Sequence, residues 1–210
     1  MVSTKKQFVK YILKTIKRVI YTYCFSQNIN KYPLKLHLGC GPVRLEGFCN
    51  VDIVPTPATD ILDDVLTLKR FPDNYAEEIY ACHVLEHFSH SEIPEILNRW
   101  YAVLKPGACL RISVPDIDRI VKIYTSNWEH FQTPGNSPWI GLLYGGQGSP
   151  YDFHKTGFNF CWLKYLMTNA GFKSIAEYPH EPHFAGIVQD ASLASAPFGE
   201  FLSLNIQGYK

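Results

Sequence analysis

An apolar segment, residues 34–38, runs directly into Gly39-Cys40-Gly41. The apolar run predicts a buried β-strand. Two glycines around one small residue let the backbone turn tightly and leave room for a ligand against the peptide planes. In open α/β sheets, ligands bind above the carboxyl ends of the parallel strands. The segment therefore predicts an α/β fold with a binding site at the end of its first strand.

The residues that follow narrow the type of ligand. A dinucleotide fingerprint needs a third glycine where this chain has Arg44, and a phosphate loop needs a Gly-Lys-Ser/Thr that does not follow. The next apolar run, residues 48–53, contains Asp52 and then Ile53. A carboxylate at the tip of a second strand can accept both hydroxyls of a ribose. Taken alone, this Gly-x-Gly turn followed by an Asp is explained equally well by an ordinary strand and turn without a ligand.

Five segments of the chain together resemble the class I S-adenosylmethionine-dependent methyltransferases and, among them, the type 11-like family. The segments are residues 36–42, 50–52, 83–87, 103–107 and 112–116. The five segments occur in the order and at the spacing of the family. Together they indicate this family far more specifically than any one segment does. In one departure, Asp52 follows Gly41 by only eleven residues. The helix that many relatives place between these positions is therefore expected to be short or missing.

The resemblance implies an α/β, Rossmann-like fold with a seven-stranded, mostly parallel sheet, an antiparallel last strand, and helices on both faces. It also implies S-adenosylmethionine as the cofactor. Gly39, Cys40 and Gly41 would lie against its methionine moiety, and Asp52, followed by Ile53, would bind the ribose.

The resemblance further implies where the adenine and the sulfur would lie. Asp64 would accept a hydrogen bond from the adenine amine, and Val65 would cover the ring. In the alternative register, Asp63 rather than Asp64 would accept the hydrogen bond from the adenine amine. The segment that begins with His83, residues 83–87, would border the methionine part of the cofactor.

A metal site is the alternative interpretation of the histidines near the fourth predicted strand. His83, Glu86, His87 and His90 are close in sequence, but their order is not His-Glu-x-x-His. No further ligand is apparent nearby, so the sequence predicts no metal. The resemblance instead implies that Glu86 and His87 fix the turn by hydrogen bonds.

The candidate catalytic residues follow a long segment, residues 129–150, that shows little periodicity. Asp152 and His154 are two apart, so on an extended segment they point to the same side. A carboxylate beside an imidazole raises its basicity, which makes His154 a candidate base at the mouth of an acceptor pocket. Alternatively, Asp152 and His154 tie the loop down by hydrogen bonds, and His83, nearer the expected methyl group, is the base.

Charge is unevenly distributed along the chain. Residues 1–45 hold nine Lys and Arg and no Asp or Glu, whereas the net charge of the whole chain is only +1. Within residues 6–25, apolar residues recur at helical spacing opposite a lysine-rich face, which predicts an amphipathic helix. This helix, in an N-terminal unit of residues 1–30, would either cover the cofactor site of the 31–210 domain or lie on a membrane surface.

Composition also bears on partners and location. The six cysteines are scattered without a Cys-x-x-Cys pair, which predicts a reducing, cytoplasmic location, with membrane association through residues 6–25 left open. The low net charge predicts no nucleic-acid partner. We expect a methyltransferase acting on an oxygen or nitrogen of a small-molecule or glycan acceptor. The alternatives are a non-catalytic cofactor-binding regulatory protein and, less favoured by the missing third glycine, a dinucleotide oxidoreductase.

Overall fold

A computed structural model describes residues 28–132, 138–179, 190–195 and 199–210. The predicted helix over residues 6–25 lies outside them. The chain divides into two units, Met1–Tyr32 and Pro33–Lys210. In the first unit the described residues form a short 3-10 helix, Ile29–Lys31. The second unit contains seven strands: β1 (Lys35–Leu38), β2 (Cys49–Asp52), β3 (Ile61–Leu62), β4 (Ala76–Cys82), β5 (Leu104–Pro115), β6 (Lys173–Glu177) and β7 (Ser203–Tyr209).

These strands form a single sheet in the order β3-β2-β1-β4-β5-β7-β6. The pairs from β3 to β5 are all parallel, whereas β7 runs antiparallel to both β5 and β6. The predicted seven-stranded, mostly parallel sheet with an antiparallel last strand is therefore confirmed. The chain adds β2 and β3 on one side of β1 and then crosses to β4 on the other. This reversal creates the crevice in which open α/β sheets bind ligands.

Helices surround the sheet. They are α1 (Ile93–Val103), α2 (Ile117–Ser126), α3 (Trp128–Phe131), α4 (Pro138–Tyr144) and α5 (Phe160–Asn169), with 3-10 helices at Leu85–His87 and Ala191–Leu193. The apolar face of α1 is buried: Ile93, Ile96, Leu97, Trp100 and Val103 are all fully inaccessible to solvent. No helix within the described ranges has both the length and the apolar character needed to cross a membrane.

Residues 39–48 connect β1 to β2 by turns and contain no helix, as the short spacing predicted. The buried side chain of Asn50 organises this connection. Its amide nitrogen donates to the carbonyl oxygens of Leu45 and Phe48, and its amide oxygen accepts from the backbone N–H of Leu45. One side chain thus satisfies backbone groups that a helix would satisfy internally.

The prediction of little regular structure over residues 129–150 was partly wrong, because α3 and α4 lie within or at the edge of this segment. Tertiary packing explains the difference. Phe131 packs with Ile120 and Ile123 of α2, and Leu142 and Leu143 of α4 pack against the same cluster. Short helices of this kind are stabilised by burying one face rather than by their own propensity.

Candidate functional site

A cavity of about 430 Å³ opens at the carboxyl ends of β1, β2, β3 and β4. Gly39 follows β1, Asp52 ends β2, residues 64–66 follow β3, and His83 follows β4, so each strand delivers one wall of the cavity. Of the residues predicted to bind a cofactor, Gly39, Asp52, Ile53, Asp64, Val65 and His83 line this cavity. The parallel strands bring them together because their carboxyl ends meet at one edge of the sheet.

The two glycines after β1 have different roles. Gly39 lines the cavity at φ 63°, and a Cβ there would lie 2.5 Å from Cγ2 of Val84. Gly41, at φ 51°, does not line the cavity; its backbone N–H donates to Oδ2 of Asp52 at 2.8 Å. Cys40 between them is buried and also lies away from the cavity lining. Of the predicted tripeptide, only Gly39 therefore contacts the cavity, while Gly41 positions Asp52.

Asp52 is held rigidly at the tip of β2. One carboxylate oxygen accepts from the N–H of Gly41, and the other accepts from the N–H of Val54 at 2.7 Å. Each carboxylate oxygen has a second lone pair, so the carboxylate keeps acceptor capacity on the cavity wall. Asp52 is 9% exposed, so its side chain is largely shielded from bulk solvent.

The structure distinguishes Asp63 from Asp64, the two candidates that the sequence left open after β3. Asp64 and Val65 line the cavity. Asp63 points away, and its carboxylate accepts from the backbone N–H groups of Asp64 and Arg70, each at 2.9 Å. Burial raises the pKa of Asp63. Trp100 anchors the loop by donating its indole N–H to the carbonyl oxygen of Val65 at 2.8 Å.

His83 directly follows β4 in the left-handed region, at φ 53°. Its Nδ1 lies 3.1 Å from Oε1 of Glu86, and its Nε2 lies 2.9 Å from Oγ of Ser203. The backbone N–H of His83 donates to the carbonyl oxygen of Ser113, which continues the pairing of β4 with β5. His83 is the one predicted catalytic residue that lines the cavity.

Asp152 and His154, the residues predicted to lie at the mouth of the acceptor pocket, do not line the cavity. Tyr151 and Lys155, on the alternate positions, line the cavity instead. The carboxylate of Asp152 accepts from the backbone N–H groups of Gly146 and Gly148 at 3.2 and 3.1 Å. Asp152 thus ties down the preceding turn, and within the described ranges it makes no hydrogen bond to His154.

His154 packs inside the domain rather than in the cavity. Nδ1 lies 2.9 Å from the carbonyl oxygen of Leu142, and the ring lies edge-on to that of His87, with centroids 5.0 Å apart. Nε2 lies 4.0 Å from Oε1 of Glu86. Burial lowers the pKa of His154. The neighbouring backbone is pinned to the turn after β4, since the N–H of Lys155 donates to the carbonyl oxygen of Glu86 at 2.7 Å.

Several residues that the sequence did not assign to the cavity also line it: Leu66, Phe88, Glu92, Pro150 and Tyr151. The two-residue alternation along residues 151–155 was the available signal for Tyr151, because it places Tyr151 and Lys155 opposite Asp152 and His154. Which of the two sides faced the cavity depended on the hydrogen bonds between this segment and residues 86–88.

No family model matches the sequence, and no curated protein sequence does. Among solved structures, the chain is similar to a SAM-dependent methyltransferase from Archaeoglobus fulgidus, with a TM-score of 0.54 and 16% identity over 95% of this chain and 94% of that one.

Two further solved structures are similar. One is 1,6-didemethyltoxoflavin-N1-methyltransferase of Burkholderia thailandensis, with bound 1,6-didemethyltoxoflavin and S-adenosylhomocysteine (TM-score 0.53, 17% identity, 86% of this chain and 72% of that one). The other is a SAM-dependent methyltransferase from Methanosarcina mazei (TM-score 0.51, 16% identity, 83% and 91%). The chain therefore has the class I fold of S-adenosylmethionine-dependent methyltransferases.

Proposed function

We propose that the protein is an S-adenosylmethionine-dependent methyltransferase of the type 11-like group. The observation that carries the proposal is the cavity, in which Gly39, Asp52, Asp64 and Val65 line the carboxyl ends of three adjacent strands. A nucleoside fits this arrangement: Gly39 admits the methionine moiety closely, Asp52 accepts from the ribose hydroxyls, and Asp64 and Val65 hold the adenine.

The chemistry asks little of the protein beyond alignment. Bound S-adenosylmethionine would supply a methyl group on a sulfonium, which is already electrophilic. The chain's own task is to hold an acceptor in line with that group and to exclude water. A hydroxyl or protonated amine acceptor also needs a base, and His83 is our candidate because it lines the cavity beside Glu86.

The proposed acceptor is a small molecule or a glycan, methylated on oxygen or nitrogen. The remaining cavity residues support a compact polar acceptor, since Phe88 and Tyr151 offer aromatic surface while Glu92 and Lys155 offer opposite charges. The similar Burkholderia structure holds a small molecule, 1,6-didemethyltoxoflavin. We also propose a cytoplasmic location, with residues 6–25 either covering the site or contacting a membrane surface.

Calorimetric titration tests the cofactor assignment with a matched pair of variants. We expect the protein to bind S-adenosylmethionine and S-adenosylhomocysteine but not NAD. Asp64→Asn should weaken S-adenosylhomocysteine binding by about 1.5–3 kcal/mol, because it removes a charge-assisted hydrogen bond. Asp63→Asn should leave the affinity unchanged, since Asp63 points away from the cavity. Equal effects of the two variants, or no binding at all, would contradict the proposal.

A non-catalytic cofactor-binding protein is the second candidate. It is favoured by one observation: both ring nitrogens of His83 already have polar neighbours, Glu86 and Ser203. Transfer of labelled methyl groups to a panel of sugars, phenols and amines separates the candidates. If an acceptor is found, we expect His83→Ala to lower turnover by about a hundredfold or more while S-adenosylhomocysteine affinity persists. If His83→Ala keeps turnover while His154→Ala loses it, His83 is not the base.

A further inference from the structure

Three side chains beside the cavity form a compact cluster: Glu86, His87 and His154. One potential ligand atom from each lies within 4.8 Å of the other two. Glu86 and His87 belong to the 3-10 helix after β4, whereas His154 comes from the segment that precedes α5. The sequence predicted no metal because no further ligand was apparent near Glu86 and His87, but the fold supplies His154 from a distant part of the chain.

Glu86 is the unusual member of the cluster. Its side chain is 1% exposed, yet within the described residues neither carboxylate oxygen accepts a hydrogen bond. Nδ1 of His83 lies 3.1 Å from Oε1 but lacks the alignment of a hydrogen bond. A buried carboxylate without such partners is costly unless a cation compensates it. The lone pairs of Glu86 are therefore available to a cation.

The two histidines have the backbone hydrogen bonds that metal-ligating histidines commonly have. Nδ1 of His87 lies 3.3 Å from the carbonyl oxygen of Phe153, and Nδ1 of His154 lies 2.9 Å from that of Leu142. A carbonyl can only accept, so in the neutral form of each imidazole Nδ1 carries the proton and Nε2 keeps a lone pair. A backbone carbonyl that fixes the tautomer of a ligating histidine in this way is a common feature of metal sites.

We propose that Glu86, His87 and His154 bind a divalent transition-metal ion, with Zn²⁺ the foremost candidate. Two imidazole nitrogens and one carboxylate oxygen form a common ligand set for zinc and for its first-row neighbours, whereas Mg²⁺ and Ca²⁺ prefer oxygen ligands alone. Metal–ligand bonds of about 2.0–2.1 Å bring tetrahedral ligand atoms to roughly 3.4 Å apart. Binding would thus draw the cluster together by about an ångström, mainly through the partly exposed His87.

The ion would lie at the edge of the proposed acceptor region, because His87 lines the cavity. Three protein ligands leave at least one position for water or for an oxygen or nitrogen of a bound molecule, as in catalytic zinc sites. The proposal does not depend on methyl transfer, since the three ligands bind an ion with or without a cofactor in the cavity.

The test uses the full-length protein without an affinity tag, after treatment with a chelator and removal of that chelator. Titration with Zn²⁺ should show one ion per chain, and Co²⁺ should give visible absorption bands of a site with nitrogen ligands. Mg²⁺ should not compete. His154→Gln, which keeps the side-chain volume, should weaken Zn²⁺ binding by more than about a hundredfold, since second-shell changes alone cost ten- to a hundredfold.

His90→Gln is the matched control, because His90 is exposed and outside the cluster; its Zn²⁺ affinity should equal that of the wild type. The proposal is overturned if the wild type binds neither Zn²⁺ nor Co²⁺, or if His154→Gln binds as tightly as the wild type. Circular dichroism checks folding, and His87→Gln, at the partly exposed ligand, replaces His154→Gln if that variant does not fold. S-adenosylhomocysteine titration of the metal-free protein reports separately on the proposed function.

Discussion

Gly39 is constrained twice, by its backbone conformation and by its neighbour. Its φ of 63° lies in the left-handed region, and a Cβ would meet Cγ2 of Val84 at 2.5 Å. Gly41 shares the first constraint, with φ 51°, but a Cβ added there would meet no atom of the described residues within 4 Å beyond its chain neighbours. Substitutions at these two positions therefore distinguish the effect of backbone strain from the effect of steric overlap.

Gly39→Ala should lower the free energy of unfolding more than Gly41→Ala. Both variants incur strain of about 1–2 kcal/mol from the left-handed backbone. Gly39→Ala adds overpacking against Val84, typically about 1–3 kcal/mol. Urea denaturation of the two variants measures the difference.

A double-mutant cycle with Val84→Ala provides the control. Removing the Val84 methyl groups should recover part of the stability lost in Gly39→Ala, with a favourable coupling of about 0.5–3 kcal/mol. Equal destabilisation by Gly39→Ala and Gly41→Ala, without coupling to Val84, would show that Val84 simply moves aside.

At the scale of elements, a buried polar pair joins β1 to β2. Nδ1 of His37 lies 3.0 Å from Oδ1 of Asn50, and the two side chains are 3% and 0% exposed. Asn50 in turn holds the connection between the strands through Leu45 and Phe48. Burial lowers the pKa of His37, with the Asn50 hydrogen bond opposing part of that effect.

The lowered pKa predicts how stability depends on pH. Unfolded His37 takes up a proton near its ordinary pKa of about 6.5, whereas the folded form does so only at lower pH. The unfolded state therefore binds more protons below about pH 6.5, so the contribution of His37 is complete above that pH and is lost as the pH falls. Urea denaturation between pH 8 and pH 5.5 should show a steeper loss for the wild type than for His37→Gln. Parallel pH profiles would mean that His37 is not buried in its neutral form.

For the whole molecule, the charge asymmetry predicts a role for residues 6–25 outside the folding of the 31–210 domain. We expect a chain lacking residues 1–25 to remain folded and to sediment less with anionic vesicles than the full-length protein does. Because exposed charges are screened by salt, the difference should shrink as ionic strength rises. Charge reversal at Lys10, Lys14 and Lys17 should reproduce the loss. If the two chains sediment equally, residues 6–25 do not bind the membrane, and the cover hypothesis remains.

The sequence by itself determined the architecture of the sheet and part of the cavity wall. Gly39 and Asp52 could be placed because glycine turns and strand ends leave short, local signatures. The five motif segments then predicted the seven-stranded sheet with its antiparallel strand. The missing helix between β1 and β2 followed from spacing alone, since eleven residues from Gly41 to Asp52 leave little room for one.

Only the tertiary structure decided the choices that depend on contacts between distant segments. The sequence pattern does not distinguish Asp63 from Asp64. In the structure the backbone N–H of Arg70 donates to the carboxylate of Asp63, so Asp64 is the one that lines the cavity. Sequence alternation paired Asp152 with His154 but could not show that Tyr151 and Lys155, rather than these two, line the cavity. His154 meets Glu86 because the loop before α5 returns to the turn after β4, and a local sequence pattern carries no record of where a long loop returns.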